Sequence, residues 1–353
     1  MKQGVELIER LSLCFGPTSF EGEVANAVRE ELSDTGLSFE ADRMGNLVAH
    51  LPGVAHAPRI LLSAHMDEVG FMITEIEDEG FLRFATLGGI HKSVLCGRAV
   101  MLGNETHRVP GVIAAKGIHL QTADERKKLP RIEDLYIDIG TKSREETEAL
   151  VSRGDFGVFD TPFSRFGESK ELIKGKALDD RVGCAALIEL TRHLVKHPVA
   201  ADVWVAFTVR EEIGRSGATV VANRIAPDAA VVLESTAVAD IAGVKENSRV
   251  ASLGAGGALS LVDRSTLYDR ALVDIALEAG KRHGILVQVK RFVSGGNDAA
   301  HIQRSGAGVR CMALSLPTRY LHAPMSVASL RDYESIIQLL SAMLAEWKVE
   351  VEK

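Results

Sequence analysis

Cysteine is scarce: Cys14, Cys96, Cys184 and Cys311 are the four in 353 residues, and no two of them form a C-x-x-C pair. That spacing argues against a zinc ribbon and a disulfide framework, and it fits thiols kept in a reducing compartment. An excess of positive charge is lacking too. The formal net charge of −7 offers no basic face to a nucleic acid, so small or peptide ligands are the expected partners. No hydrophobic run reaches the length of a membrane span, and the opening MKQGVELIERLSLCFG carries Glu6, Glu9 and Arg10 where an export signal needs an apolar segment. A cytoplasmic protein with neither membrane nor nucleic-acid partners is therefore expected. Biased and repetitive tracts are missing as well, which argues against disorder and against a solenoid.

What is present is an ordinary globular composition, 46% hydrophobic and 25% charged, on a chain long enough for a large core domain with one inserted module. Val5, Ile8 and Leu11 share one helical face, and a second helix follows Gly16-Pro17 with Thr18 to Glu21 as its capping box. Residues 47–51 and 59–64 read as strands of a buried sheet. From Gly70 to Phe166 the texture shifts to short alternating segments broken by Gly and Pro, such as FMITEIEDEGFLRFATLGG and HRVPGVIAAKG, which predicts an inserted β-rich module. Beyond it, helices over 181–195, 217–224, 265–283, 299–304 and 330–347 alternate with strands over 202–209, 229–233, 286–292 and 309–316. The expected organisation is an α/β core from residues 1–69 and 167–353, with a largely parallel sheet between helices, and a β module over 70–166.

Several apolar runs deliver a metal-capable side chain as they finish. ILLSAH ends in His65, VWVAFTVR runs into Glu211-Glu212, AAVVLE ends in Glu234, and CMALSLPTRYLH ends in His322. In open α/β sheets the ligand crevice lies beyond the carboxyl ends of the strands, so these side chains can converge although they are distant in sequence. Alone, each is as well explained as a solvated residue at a strand end; the set is what carries information. Asp67 lies two residues after His65, on the same side of an extended segment, and can accept from one ring nitrogen while the other binds metal. Glu211 and Glu212 are like charges side by side, an arrangement that a cation stabilises, leaving one carboxylate to bind the ion and its neighbour to take a proton from water. Asp179, in Ala177-Leu178-Asp179-Asp180-Arg181 ahead of a helix, can bridge two cations. Two imidazoles and three carboxylates suit zinc, and also cobalt or manganese, better than copper or magnesium.

With those residues in place, the chain resembles the glutamyl and tetrahedral aminopeptidases, which trim free N-termini with two zinc ions. The likeness runs in one order through GPTSFEGEV, SAHMDEVGFMI, GVIAAKGIHL, LYIDIG, KALDDRVGC, VREEIGRSGA, SGGNDAAHI and TRYLHAPMSV. It implies an α/β/α catalytic domain with a barrel-like insertion between His65 and Asp179. It also implies His65 and Glu234 on one ion, Glu212 and His322 on the other, Asp179 between them, Asp67 orienting His65, and Glu211 as general base. A cis bond at Asp179-Asp180 follows from the same likeness, as does a substrate-pocket loop at Gly296, Asn297 and Asp298. Short peptides as substrates and homo-oligomers, often tetrahedral dodecamers, are further expectations of it. Glu234 stands where many members have Asp, and Asn297 where Thr is frequent.

Two other readings share parts of this pattern. Related di-zinc dipeptidases and deacylases usually carry their extra domain after the Glu-Glu pair, and a non-catalytic peptide-binding scaffold has no need of all five ligands and the base. A glycosidase fails on geometry, because adjacent acids cannot flank a sugar bond from opposite sides across about 5 Å or more.

Overall fold

The fold is described from a computed structural model over residues 2–347. Helices α1 (Lys2–Leu13) and α2 (Gly22–Glu31) lead into strands β1 (Glu40–Ala41), β2 (Leu47–Leu51) and β3 (Arg59–His65). There follow β4 (Gly70–Ile76), β5 (Leu82–Leu87), β6 (Ala99–Gly103), β7 (Arg108–Ala114), β8 (Tyr136–Asp138), the short helix α3 (Arg144–Glu148) and β9 (Phe156–Phe159). The chain returns through β10 (Ser164–Phe166), β11 (Leu172–Gly175), α4 (Leu178–Lys196), β12 (Asp202–Thr208), α5 (Ser216–Ile225) and β13 (Ala229–Ala237). It ends with β14 (Gly257–Leu259), α6 (Arg270–His283), β15 (Val287–Val289), α7 (Ala299–Ile302), β16 (Arg310–Arg319), β17 (Ser326–Ser329) and α8 (Leu330–Ala345).

The large sheet has the order β1-β2-β12-β3-β13-β16-β17-β11-β10. Its centre, β12-β3-β13-β16, is parallel, as is the side pair β14-β15, whereas β2, β17, β11 and β10 pair antiparallel outside the centre, so the sheet is mixed rather than largely parallel. The period-two pattern of the central strands decides the layers. Ile60, Leu62, Val205, Phe207, Val231 and Leu314 pack with α1, α2, α4, α6 and α8 on one face. Leu61, Ala206, Ala230, Val232 and Ala313 meet α5 and α7 on the other. Both faces are therefore apolar, which makes these strands near-continuous hydrophobic runs and gives an α/β/α sandwich. Each large side chain so buried contributes about 1.5–3 kcal/mol of transfer free energy.

Strands β4 to β9 close into a separate barrel around Phe71, Ile73, Leu82, Leu102, Ile113, Ile137 and Phe159. The barrel strands end at Phe159, and Ser164–Phe166 already pairs with Leu172–Gly175 in the large sheet. Parallel register aligns the strand ends that matter. Thr208 lies opposite His65, and Val232 opposite Ser63, so Glu234 emerges beside His65, each two residues further on.

Some local expectations change. β13 continues to Ala237 because its pairing with β16 runs on to Thr318, which leaves Glu234 inside a strand instead of at its end. α6 begins at Arg270, capped by the Asp269 carboxylate on the Leu272 N–H, since the preceding residues wind around Asp263, whose Oδ1 accepts from the amides of Ser265 and Thr266. β15 is limited to Val287–Val289. The Thr18 to Glu21 capping box does not form: α2 starts at Gly22 without a side-chain cap, and the Thr18 hydroxyl donates to Asp67 instead.

Candidate metal centre

The side chains singled out by sequence meet at the carboxyl ends of the four parallel strands. His65 closes β3, Glu234 lies within β13, and the turn after β12 carries Glu211 and Glu212. His322 lies three residues past β16 with a positive φ of 55°, and the preceding Tyr320 also has a positive φ of 60°. These left-handed residues turn the chain back over the sheet. Asp179 comes from the first turn of α4, and its bond to Asp180 is cis.

Two donor groups share Asp179. His65, Asp179 and Glu234 form one, and Asp179, Glu212 and His322 the other, with the donor atoms of each group within 4.8 Å of one another. The two carboxylate oxygens of Asp179 face different imidazoles: Oδ1 lies 3.3 Å from His65 Nε2, and Oδ2 lies 3.2 Å from His322 Nε2. The outer carboxylates complete the groups at 3.4 Å (Glu234 Oε1 to His65 Nε2) and 3.3 Å (Glu212 Oε1 to His322 Nε2). Zinc bonds of about 2.0–2.1 Å in tetrahedral geometry put neighbouring donors about 3.3 Å apart, so the spacing fits two such ions.

The electrostatics fit as well. Burial pushes Glu234 well above the usual carboxylate range, and the charge of Asp179 adds to that. Burial also raises Glu212, again with Asp179 adding, and Glu212 Oε1 is a buried oxygen with no hydrogen bond on it. Burial disfavours charge on His322, but Asp179 and Glu212 outweigh it and push the imidazole up to about 11. His65 is raised in the same way against its burial by Glu234, Asp179 and Asp67. Carboxylates so crowded that they hold protons on both imidazoles make a site in which divalent cations can replace those protons.

Asp67 is buried behind His65, with its Oδ1 3.4 Å from His65 Nδ1. It also accepts the N–H groups of Glu211 (2.9 Å) and Glu212 (3.1 Å) and the hydroxyl of Thr18 (2.8 Å). Burial alone would raise its pKa, but His65 and these donors hold it below the usual range. The Asp67 backbone carbonyl also lies 3.1 Å from His65 Nδ1, so this residue orients a candidate ligand and its carboxylate fixes the turn that bears the paired glutamates.

A cavity of about 260 Å³ opens over the cluster, lined by Asp179, Glu211, Glu212, Glu234 and His322 and by the loop residues Gly296 and Asn297. Asp298 does not line it. Its side chain is 1% exposed and accepts the Thr208 hydroxyl at 2.7 Å, so it lies beneath the floor instead of facing the cavity. Asn297 donates to the Tyr268 hydroxyl at 3.1 Å, and that hydroxyl donates to Asp263 at 2.5 Å.

Arg215 was not singled out by sequence. Its Nε donates to Glu211 Oε1 at 2.7 Å and its Nη2 to the Gly296 carbonyl at 3.0 Å, tying the paired glutamates to the cavity loop. Burial first, then the charges of Asp298 and Glu212, still push Glu211 up to about 8. Lys290, also in the cavity wall, donates to the Ser294 carbonyl. The four-residue step from Glu211 to Arg215 was a usable signal, whereas nothing local to Lys290 points to the site.

The sequence profile of the M42 glutamyl aminopeptidases matches residues 45–339. The chain belongs to the M42 glutamyl aminopeptidase family. As a member it is a hydrolase of the aminopeptidase kind, and its α/β core with a closed barrel recurs in solved structures of the family. The lysyl aminopeptidase of Pyrococcus furiosus is 30% identical over 351 residues, covering 97% of each protein. A TET aminopeptidase from the marine sediment archaeon Thaumarchaeota archaeon SCGC AB-539-E09 superposes with a TM-score of 0.95 at 34% identity, covering 99% of this chain and 98% of that one. The TET1 peptidase of Pyrococcus horikoshii, described as assembling into a tetrahedron or a large octahedral shell, gives 0.87 at 34% identity, with 98% and 100% covered.

Proposed function

We propose that this aminopeptidase uses two divalent metal ions to hydrolyse the first peptide bond of short peptides. The carrying observation is the pair of donor groups joined through the two oxygens of Asp179, with Glu211 beside them in the cavity wall. His65 and Glu234 would hold one ion, Glu212 and His322 the other, and Asp179 both. The N/O donor set favours zinc, with cobalt or manganese also suited. When bound, such ions supply Lewis acidity toward the peptide carbonyl and lower the pKa of a coordinated water towards roughly 7.

The remaining work falls to the chain. Glu211 takes a proton from the attacking water and returns it to the departing amine, a role suited to a carboxylate in the cavity wall that Arg215 holds in place. Asp67 fixes the ring of His65 and, through two amides, the positions of Glu211 and Glu212. Gly296 and Asn297 shape the wall against which the first side chain rests, and Asp298 supports that loop from below through Thr208.

Glu211→Gln tests the base. A folded variant that keeps its metal should lose about 10² to 10⁴ in rate on aminoacyl-4-nitroanilides, and unchanged turnover would remove Glu211 from the reaction. Chelation should silence the enzyme and added zinc or cobalt restore it; full activity after complete metal removal would defeat the metal reading.

The segment 70–166 is proposed as the module for self-association and substrate access. Ile118, Leu120 and Leu129, in the long connection from β7 to β8, are 70%, 63% and 49% exposed, an apolar surface suited to another copy of the chain. An assembly like the tetrahedron described for the Pyrococcus horikoshii protein would enclose the cavities and restrict entry to short peptides.

A further inference from the structure

Three successive amides in the turn after β12 each donate to a carboxylate. The Glu211 and Glu212 N–H groups go to Asp67 Oδ1 and Oδ2, and the Arg210 N–H goes to Glu21 Oε1 at 3.1 Å. Arg210 has a positive φ of 59°, a left-handed conformation that side-chain-bearing residues seldom adopt, so the turn depends on outside anchors. Asp67 supplies one of them. Glu21, 189 residues before Arg210, supplies the other.

Glu21 is 7% exposed, and it does not cap the helix it precedes. Its Oε1 also accepts the Ser19 N–H at 2.8 Å, which fixes the carboxylate relative to its own loop. That loop is tied to the metal-bearing strand end by hydrogen bonds from the Thr18 N–H to the Glu68 carbonyl (3.1 Å) and from the Glu68 N–H to the Gly16 carbonyl (3.0 Å). The Thr18 hydroxyl adds the contact to Asp67. Between Thr18 and Glu21, the Phe20 ring lies tilted against Phe156 of the barrel with ring centroids 5.0 Å apart, and the guanidinium of Arg108, also in the barrel, lies 4.0 Å over Phe15. The segment from Phe15 to Glu21 therefore touches the barrel on one side and the paired-glutamate turn on the other.

We propose that Glu21 is a positioning residue for the Glu211-Glu212 turn, braced by the N-terminal segment against the barrel. The role rests on reading Glu211 as the base and Glu212 as a metal ligand. Removing the acceptor leaves the part-buried Arg210 N–H without this partner and frees a left-handed residue directly ahead of both glutamates. A displacement of about 1 Å at reacting groups costs on the order of 10² in rate.

Glu21→Met removes the acceptor at nearly constant volume, and Glu21→Gln retains a carbonyl oxygen in its place. In the metal-loaded enzyme, E21M should lower kcat at least about tenfold with KM within about threefold, while E21Q keeps at least about half of the kcat. Glu21→Ala replaces E21M if the latter does not fold. An acceptor-free variant with kcat within about twofold of the parent would overturn the proposal. So would equal losses in E21M and E21Q that follow a fall in Tm, since that pattern marks a residue needed for stability alone. E211Q in the same assay separates the two claims: an active E211Q defeats the base, whereas an inactive E211Q beside an unaffected E21M defeats only the role of Glu21.

Discussion

Thr18 and Glu21 show how side chains can be placed by sequence and still be misread. GPTSFEGEV contains Thr18 and Glu21 at the spacing of a capping box, yet both side chains turn to the site: the hydroxyl to Asp67, the carboxylate to Arg210. Burial, reinforced by the charge of Asp67, pushes Glu21 up to about 7 from its ordinary 4.5. The folded state holds this proton more tightly than the unfolded chain, so the stabilising contribution is complete below about pH 4.5 and is lost as pH rises through about 7. E21Q keeps the acceptor but cannot ionise. Denaturant unfolding at pH 4.5 and at pH 7.5 should show the parent losing stability relative to E21Q by up to about 3 kcal/mol. A difference between the two proteins that stays constant with pH would contradict a raised Glu21.

At the scale of elements, the order of helices and strands in the core was legible because both faces of the parallel strands are covered, and runs such as ILLSAH and AAVVLE carry that burial openly. Element ends were less so. The extension of β13 to Ala237 comes from pairing with β16, a neighbour more than seventy residues later, and no local pattern reports it. The antiparallel flanks of the sheet were invisible for the same reason, since β10, β11 and β17 are short strands defined by their partners. In the site, His65, Asp179, Glu212, Glu234 and His322 were all found as metal-capable residues near strand or helix ends, and the structure brings them within reach of one another. The family likeness put Asp298 in the pocket loop with Gly296 and Asn297, but the chain enters α7 at that point and the Asp298 carboxylate accepts the Thr208 hydroxyl instead of lining the cavity. Glu21 acts through a hydrogen bond from the distant Arg210 N–H, and Arg215 reaches the distant Gly296 carbonyl, contacts that spacing alone does not reveal.

At the scale of the whole molecule, the barrel is inserted between the strand bearing His65 and the helix bearing Asp179, and the N-terminal segment spans from it to the paired glutamates. Contacts made by the barrel thus lie one layer from the site. If the barrel mediates self-association, light scattering should give a mass of several chains for the parent. Charging the exposed loop with Ile118→Asp and Leu120→Asp should then shift that mass toward the single chain, and an unchanged assembly would locate the interface elsewhere.

The claim on which the rest depends is that Asp179 is shared by two ions. Metal content per chain, measured by elemental mass spectrometry on zinc-loaded and desalted protein, tests it most directly. Two ions are predicted for the parent, one for His322→Ala, and close to none for Asp179→Ala; a folded Asp179→Ala protein that still carries two would contradict the account.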